Sequence, residues 1–186
     1  MKSKLFVIGK PIKHSRSPTI HNFWIEKYSL NANYDKLEIE TKEIRNLIRD
    51  LREDKIRGFN VTIPYKKIMI DFVDELEESA LKSKAVNTVY KVEDKIIGAN
   101  TDGIGFISSL QKDLNFTFDS KTNVMCIGAG GAAYGIVSSL IDFNPQIIKI
   151  INRTNSTGIK LIKHFKKFMG SKKTFEADLM GCNPDH

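Results

Sequence analysis

No apolar run in the 186 residues approaches the roughly 20 residues that cross a bilayer. The N-terminal apolar run, Leu5–Ile8, stops at Gly9 and Lys10. That is short of the about 7–15 apolar residues of a secretory signal. Cysteine is nearly absent: Cys126, inside an apolar run, and Cys182 are the whole complement. Two such thiols make no disulfide framework and point to a reducing, cytoplasmic setting. There is no internal repeat and no low-complexity segment. Apolar residues at 41% and charged residues at 27% are ordinary globular usage, which excludes a disordered tail, a collagen-like fibre and a coiled coil.

Acid is missing from one long stretch. Between Phe143 and Phe175 there are eight bases and no Asp or Glu, so the net charge of +7 is concentrated there and the rest of the chain is near neutral. Lys160, Lys163 and Lys167 recur at helical spacing, which reads most simply as a solvated helix face with Phe165 and Phe168 on its core side. A phosphate-bearing small ligand is the sharper reading. A nucleic-acid surface is not expected, because interleaved aromatics or a reading motif would accompany it.

What is present reads as α/β. Strands and helices alternate, which argues for a mostly parallel sheet with crossover helices. Strand signals fall at Lys4–Gly9, Tyr34–Glu40, Phe59–Ile63, Asn123–Ile127 and Ile147–Ile151, and Val86–Val92 with Lys95–Ala99 reads as a hairpin turning at Glu93-Asp94. Ser17-Pro18 reads as an N-cap followed by Pro at the first helical position. Thr41 reads as the cap of a helix with Ile44, Leu47, Ile48 and Leu51 on one face, and Pro64 as the opening of another. Further helices are expected over Gly103–Leu114, Gly131–Asp142 and Thr157–Met169. The polar stretch Asn115–Thr122 marks a domain boundary, giving domains of residues 1–114 and 115–186.

The sharpest local motif follows the strand Val124-Met125-Cys126-Ile127. Gly128, Gly130 and Ala133 match G-x-G-x-x-G/A between a strand and a helix. Gly128 permits the tight turn, Gly130 lets backbone approach a pyrophosphate, and a small residue at 133 lets helix and strand pack closely. The helix adds unpaired N–H groups and the positive end of its dipole. An NAD-binding unit places an acid at the end of the next strand to hold the ribose 2′-hydroxyl. Here that stretch is Asn152-Arg153-Thr154, with no acid. Arg153 suits a 2′-phosphate, so the residues favour NADP.

Three polar clusters stand at strand ends: His14-Ser15-Arg16-Ser17-Pro18, Asn60-Val61-Thr62-Ile63-Pro64-Tyr65-Lys66 and Asn100-Thr101-Asp102-Gly103, with Asn87-Thr88 beside them. Such groups suit a carboxylated, polyhydroxylated small molecule. A Lys with an Asp suits proton transfer, given neighbours that lower the lysine pKa. The plain alternative is that these residues are caps and turns, with Ser17 and Asp102 capping helices.

In this order, together with Gly9-Lys10-Pro11-Ile12, His21-Asn22, Ala85-Val86-Asn87-Thr88, Gly128–Ala132 and Asn152-Arg153-Thr154, the clusters resemble the shikimate dehydrogenase family from about Lys4 to about Met169. The resemblance implies an N-terminal, mostly parallel α/β substrate-binding domain followed by a partial Rossmann-type dinucleotide-binding domain. It implies reversible, NADPH-dependent reduction of 3-dehydroshikimate to shikimate, in the pathway to aromatic amino acids. Lys66 and Asp102 would be the catalytic pair. Ser15, Ser17, Asn60, Thr62, Asn87, Thr101 and Asp102 would form the substrate site. Gly128, Ala129, Gly130, Gly131 and Ala132 would hold the pyrophosphate, and Asn152, Arg153 and Thr154 the 2′-phosphate. No metal is implied. The partners implied are a small-molecule substrate and, where a second copy covers an open sheet edge, a homodimer; neither nucleic acid nor membrane is expected.

The chain also departs from the family pattern. Thr157 stands where a further basic residue is common, which weakens the 2′-phosphate clamp. The later Tyr and Gln of the substrate pocket, further cofactor-domain strands and a returning C-terminal helix have no counterpart after residue 170. The expectation is therefore a C-terminally truncated member whose first Rossmann strand, Val124–Ile127, lacks one neighbour. Two alternatives stay open: a non-catalytic remnant that binds shikimate or NADP only, and a quinate/shikimate dehydrogenase using NAD.

Overall fold

A computed structural model of the chain describes residues 2–168 and 174–178. They form two compact units that divide between Asn100 and Thr101. The expectation for Cys182 lies outside the described residues.

The first unit runs β1 (Ser3–Gly9), α1 (Ser17–Lys27), β2 (Ala32–Glu38), α2 (Ile44–Arg52), β3 (Gly58–Val61), β4 (Glu75–Leu76), α3 (Glu78–Ser83), β5 (Thr88–Val92) and β6 (Lys95–Ala99). Its sheet has the order β2-β1-β3-β5-β6-β4. β1 lies parallel to both β2 and β3, β4 lies parallel to β6, and β5 is antiparallel to β3 and β6. The expected hairpin is present, with Glu93 at positive φ in its turn.

The apolar stripe on α2 explains the main core. Ile44, Leu47, Ile48 and Leu51 recur at i, i+3, i+4 and i+7, and all four are buried against Ile8, Phe59, Met69, Val89 and Ile96. Each such side chain contributes about 1.5–3 kcal/mol on burial. The helix entry is not capped by Thr41. Glu40 and Glu43 form a capping box around a single 3₁₀ turn, with the Glu40 N–H donating to Glu43 Oε2 at 2.7 Å. On the other face of the sheet, Val7, Ile12 and Tyr34 are buried and Ile25 packs against them. α1 itself has no buried residue. It is tied down instead by Asn22, whose carboxamide accepts from the Tyr34 N–H at 3.0 Å and donates to the Tyr34 carbonyl at 2.7 Å. Ser17 is the first helical residue rather than the cap; Arg16 takes the cap position. Pro64 opens a series of turns leading to a 3₁₀ segment, Ile68–Phe72, and not an α-helix.

The second unit runs α4 (Asp102–Asp113), β7 (Asn123–Ile127), α5 (Gly131–Leu140), β8 (Ile147–Ile151), α6 (Asn155–Lys166) and β9 (Thr174–Asp178). The three strands are parallel in the order β7-β8-β9. β9 is a strand the sequence pattern did not suggest. β7 pairs with β8 alone among the described residues, so the open edge expected at Val124–Ile127 is present. Val137, Leu140, Ile148, Ile150, Leu161 and Phe165 form the core. Phe168 is not on that core side: it is 42% exposed, with the Lys167 ammonium 4.8 Å above its ring.

Glycine decides where the units divide. A Cβ on Gly103 would lie 2.4 Å from the Gly135 carbonyl oxygen and 2.1 Å from Ser139 Oγ. Only a bare Cα lets α4 lie this close to α5. The helix therefore belongs to the second unit, and the division falls after Asn100 rather than after Leu114.

Candidate active site

In the first unit, the ends of β1, β3 and β5 are stitched together by backbone hydrogen bonds. Thr62 N–H donates to the Ile8 carbonyl at 2.9 Å and Lys10 N–H to the Ile63 carbonyl at 3.0 Å, carrying the β1–β3 pairing past the strands. Gly9 is required here, because a Cβ would meet Thr62 Cγ2 at 2.5 Å and the Ile63 carbonyl oxygen at 2.9 Å. Val61 N–H donates to the Asn87 carbonyl at 2.8 Å, Val86 N–H to the Lys66 carbonyl at 2.8 Å and Asn87 N–H to the Ala99 carbonyl at 2.9 Å. Thr62, Lys66 and Asn87 are thus held in one neighbourhood of the sheet's end.

The loop after β1 supplies the serines. Ser15 N–H donates to the Ile12 carbonyl at 3.0 Å, and Ser15 Oγ accepts from Ser17 N–H at 3.3 Å. Both serines are half-buried, as are Thr62 and Lys66, while Asn87 is buried. The Asn60 carboxamide faces inward. Its Oδ1 accepts from the Tyr34 hydroxyl at 2.6 Å and its Nδ2 donates to the Asn87 carbonyl at 3.2 Å. Burial pushes the Tyr34 phenol well above its ordinary range, so it is a proton donor. Asn100 ends the unit buried, donating through Nδ2 to the Ala85 carbonyl at 2.9 Å.

Of the substrate-site residues read from the sequence, Ser15, Ser17, Asn60, Thr62, Lys66 and Asn87 are on the first unit. Thr101 and Asp102 open the second, at the N-terminus of α4. Tyr34 and Thr88 were not singled out as site residues. Strand alternation was the only signal at Tyr34, and Thr88 had its place in the Asn-Thr pair.

In the second unit the glycine turn has the expected geometry. Gly128 has φ +108, which favours glycine alone, and its N–H donates to the Ile151 carbonyl at 2.7 Å. No atom lies within 4 Å of where a Cβ on Gly128 or Gly130 would sit. Gly130 stands at the cap of α5 and brings no side chain to the helix's first N–H groups. Gly131 and Ala132 form the first turn of α5, and Ala133 is buried against the unit's core. Open space, uncapped donors and the positive end of the helix dipole together fit a pyrophosphate. Ala129 N–H is already used: it donates to Asn152 Oδ1 at 3.1 Å, and Asn152 Nδ2 donates to the Thr154 carbonyl at 2.7 Å. Asn152 therefore braces the glycine turn against the end of β8. Arg153 and Thr154 are exposed beyond it. Burial pushes the Cys126 thiol up, and its Sγ donates to the Gly128 carbonyl at 3.5 Å.

Among the described residues no group of three His, Cys, Asp or Glu is arranged to hold a metal ion. No helix among them is long and apolar enough to cross a membrane.

Residues 7–89 match the family model for the shikimate dehydrogenase substrate binding domain. The shikimate dehydrogenase (NADP(+)) of Pelagibacter ubique (strain HTCC1062) is 46% identical over 165 residues, which cover 89% of this chain and 62% of that protein. The shikimate 5-dehydrogenase of Thermus thermophilus, solved in complex with NADP(H) and shikimate, is 27% identical with a TM-score of 0.81; the likeness covers 95% of this chain and 62% of that one. The ligand-free 5-ketofructose reductase of Gluconobacter sp. strain CHM43 is also 27% identical, with a TM-score of 0.85 over 97% of this chain and 63% of that one. Likeness of fold alone therefore does not choose a substrate. The chain spans a little over three fifths of the length of these relatives. With a substrate-binding unit and a Rossmann-type glycine turn, it is similar to the shikimate dehydrogenases over 89% of its length.

Proposed function

We propose that this chain carries the substrate-binding unit and the first part of the cofactor-binding unit of an NADP-dependent shikimate dehydrogenase, which reduces 3-dehydroshikimate to shikimate. The observation that supports this most is the gathering of Ser15, Ser17, Thr62, Lys66 and Asn87 at one end of the first unit's sheet. Hydroxyls, a carboxamide and one ammonium there match a ligand with one carboxylate and several hydroxyls. In the Thermus structure the ligands are shikimate and NADP(H).

Gly128, Ala129, Gly130, Gly131 and Ala132 hold the pyrophosphate in this reading, and Arg153 and Thr154 the 2′-phosphate. The chain has no acid between residues 143 and 175, and an acid there would repel that phosphate. Bound NADPH supplies the hydride. Lys66 supplies a proton to the oxygen that gains charge at the reacting carbon, and takes one back in the reverse direction. Asp102 is the acidic group of the same reaction. Ser15 and Ser17 hold the carboxylate, and Thr62 and Asn87 the ring hydroxyls.

The test is shikimate-dependent formation of NADPH by the chain, with calorimetric binding of shikimate beside it. Lys66→Ala is expected to lower kcat by about 10²–10⁴-fold and to change KM much less. Unchanged turnover in that variant overturns the role of Lys66. Shikimate binding with no turnover in the unmodified chain selects the second reading, a non-catalytic binding module.

A further inference from the structure

Three side-chain hydrogen bonds in the first unit run head to tail. The Tyr34 hydroxyl donates to Asn60 Oδ1 at 2.6 Å, Asn60 Nδ2 donates to Thr88 Oγ1 at 3.1 Å, and the Thr88 hydroxyl donates to Asn87 Oδ1 at 2.9 Å. The direction of the first two is forced from one end. Asn60 Nδ2 also faces the Asn87 backbone carbonyl at 3.2 Å, and a carbonyl only accepts. So Nδ2 must lie on that side, Oδ1 must face Tyr34, and the phenol must donate. Asn60 sends its second proton into Thr88 Oγ1, and the Thr88 proton continues to Asn87. Bonds aligned in this way polarise one another.

The start of the series is rigid. Tyr34 is 4% exposed, and its ring stacks on His21 at 4.1 Å with an interplanar angle of 12°. Asn22 clamps its backbone on both sides. The end of the series is Asn87, 8% exposed.

We propose that Tyr34 is a positioning residue whose hydroxyl, acting through Asn60 and Thr88, fixes the orientation of the Asn87 carboxamide. With Oδ1 held by Thr88, the Nδ2 end turns the other way, and Asn87 meets the ligand as a hydrogen-bond donor to a ligand oxygen. This inference rests on the reading of Asn87 as a shikimate-binding residue. Asn60 becomes a link in the series: both its amide protons are directed at protein acceptors.

The experiment uses the full chain labelled with ¹⁵N, as wild type, Tyr34→Phe, Thr88→Ser and Thr88→Val. It records the side-chain amide resonances of Asn60 and Asn87, then titrates shikimate. Tyr34→Phe keeps the stacked ring and removes only the hydroxyl. It is expected to shift the Asn87 amide resonances, two links away, and to weaken shikimate binding about 3–10-fold, the value of one net hydrogen bond. Thr88→Ser keeps the hydroxyl and is expected to bind as wild type, while Thr88→Val loses the same factor as Tyr34→Phe. The double variant Tyr34→Phe/Thr88→Val is expected to bind no more weakly than Thr88→Val alone, because both changes cut one series. Asn87 resonances that stay in place in Tyr34→Phe, or losses that simply add, overturn the proposal. A wild-type chain that does not bind shikimate defeats the substrate reading instead, and the Asn87 resonances of the ligand-free variants then decide whether the series exists.

Discussion

Among the described residues, the first unit covers both faces of its sheet, and the second covers one. In the first, the α2 stripe and its partners bury one face, and Val7, Ile12 and Tyr34 are buried on the other. In the second, Val124, Cys126, Ile148 and Ile150 face the core, while Met125 is 60% and Ile127 81% exposed on the other face of β7. Parallel sheets are normally buried on both faces, which is why their strands read as unbroken apolar runs. β7 has that unbroken pattern while Met125 and Ile127 stay exposed among the described residues; the corresponding residues of β8 are half-buried. The first unit's candidate site is therefore built on a finished core. The glycine turn of the second grows from a half-covered edge strand, held chiefly by the packing of α4, α5 and α6.

With one face covered, the tightest contact in the second unit carries the most weight. Gly103→Ala pushes a methyl against the Gly135 carbonyl, and is expected to destabilise the second unit by about 1–3 kcal/mol. Helix propensity alone has the opposite sign, about 1 kcal/mol in favour of Ala. Gly105 in the same helix has no atom within 4 Å of its Cβ position, so Gly105→Ala is expected to stabilise by about 0.5–1 kcal/mol. Amide exchange along β7 and β8 reads both. Trp24, the one tryptophan, sits in the first unit, and its fluorescence is expected to report no change. Equal effects from the two glycines would remove the basis for assigning α4 to α5.

A smaller effect sharpens the first unit's side of the comparison. Burial lowers the His21 pKa below its ordinary 6.5, so the unfolded chain takes up a proton there before the folded one does. The His21 contribution to stability is complete above pH 6.5 and is lost as acidification carries the pH from 6.5 down through the lower native value. The melting temperature read by Trp24 fluorescence, followed from pH 7.5 to 5.5 (about one unit either side of the ordinary histidine pKa), is expected to fall less steeply in His21→Asn than in wild type. Identical slopes would mean that His21 titrates as it does in the unfolded chain.

The smallest effect is expected on the uncovered face. Ile127→Lys places charge where the side chain is already 81% exposed, and the change in stability should stay within about 0.5 kcal/mol. A loss of several times that would mean the face is covered in solution.

Local signals in the sequence account for much of this architecture, and long-range ones do not. β7 and β8 were readable residue for residue, and the α2 stripe, the hairpin (two residues shorter at its start) and the glycine turn were readable too, because each is a periodicity or a backbone demand carried by consecutive residues. β9 was missed although TFEAD alternates polar and apolar residues: five residues at the end of a basic stretch are a short signal, and the strand's place depends on pairing with β8. The allegiance of α4 was also hidden, since what Gly103 lacks matters only against Gly135 and Ser139, more than thirty residues away. Tyr34, Asn60 and Thr88 lie on three different strands, and no spacing in one dimension joins them.

The division at Asn100 bears on synthesis. All six strands of the first unit's sheet come from the first hundred residues, and among the described residues no later segment adds a strand to it. A ribosome adding about 5–20 residues per second leaves seconds between the synthesis of that stretch and that of β9. The half of the protein that carries Lys66 and Asn87 can reach its native pairing while the half that carries the uncovered strand is still being made.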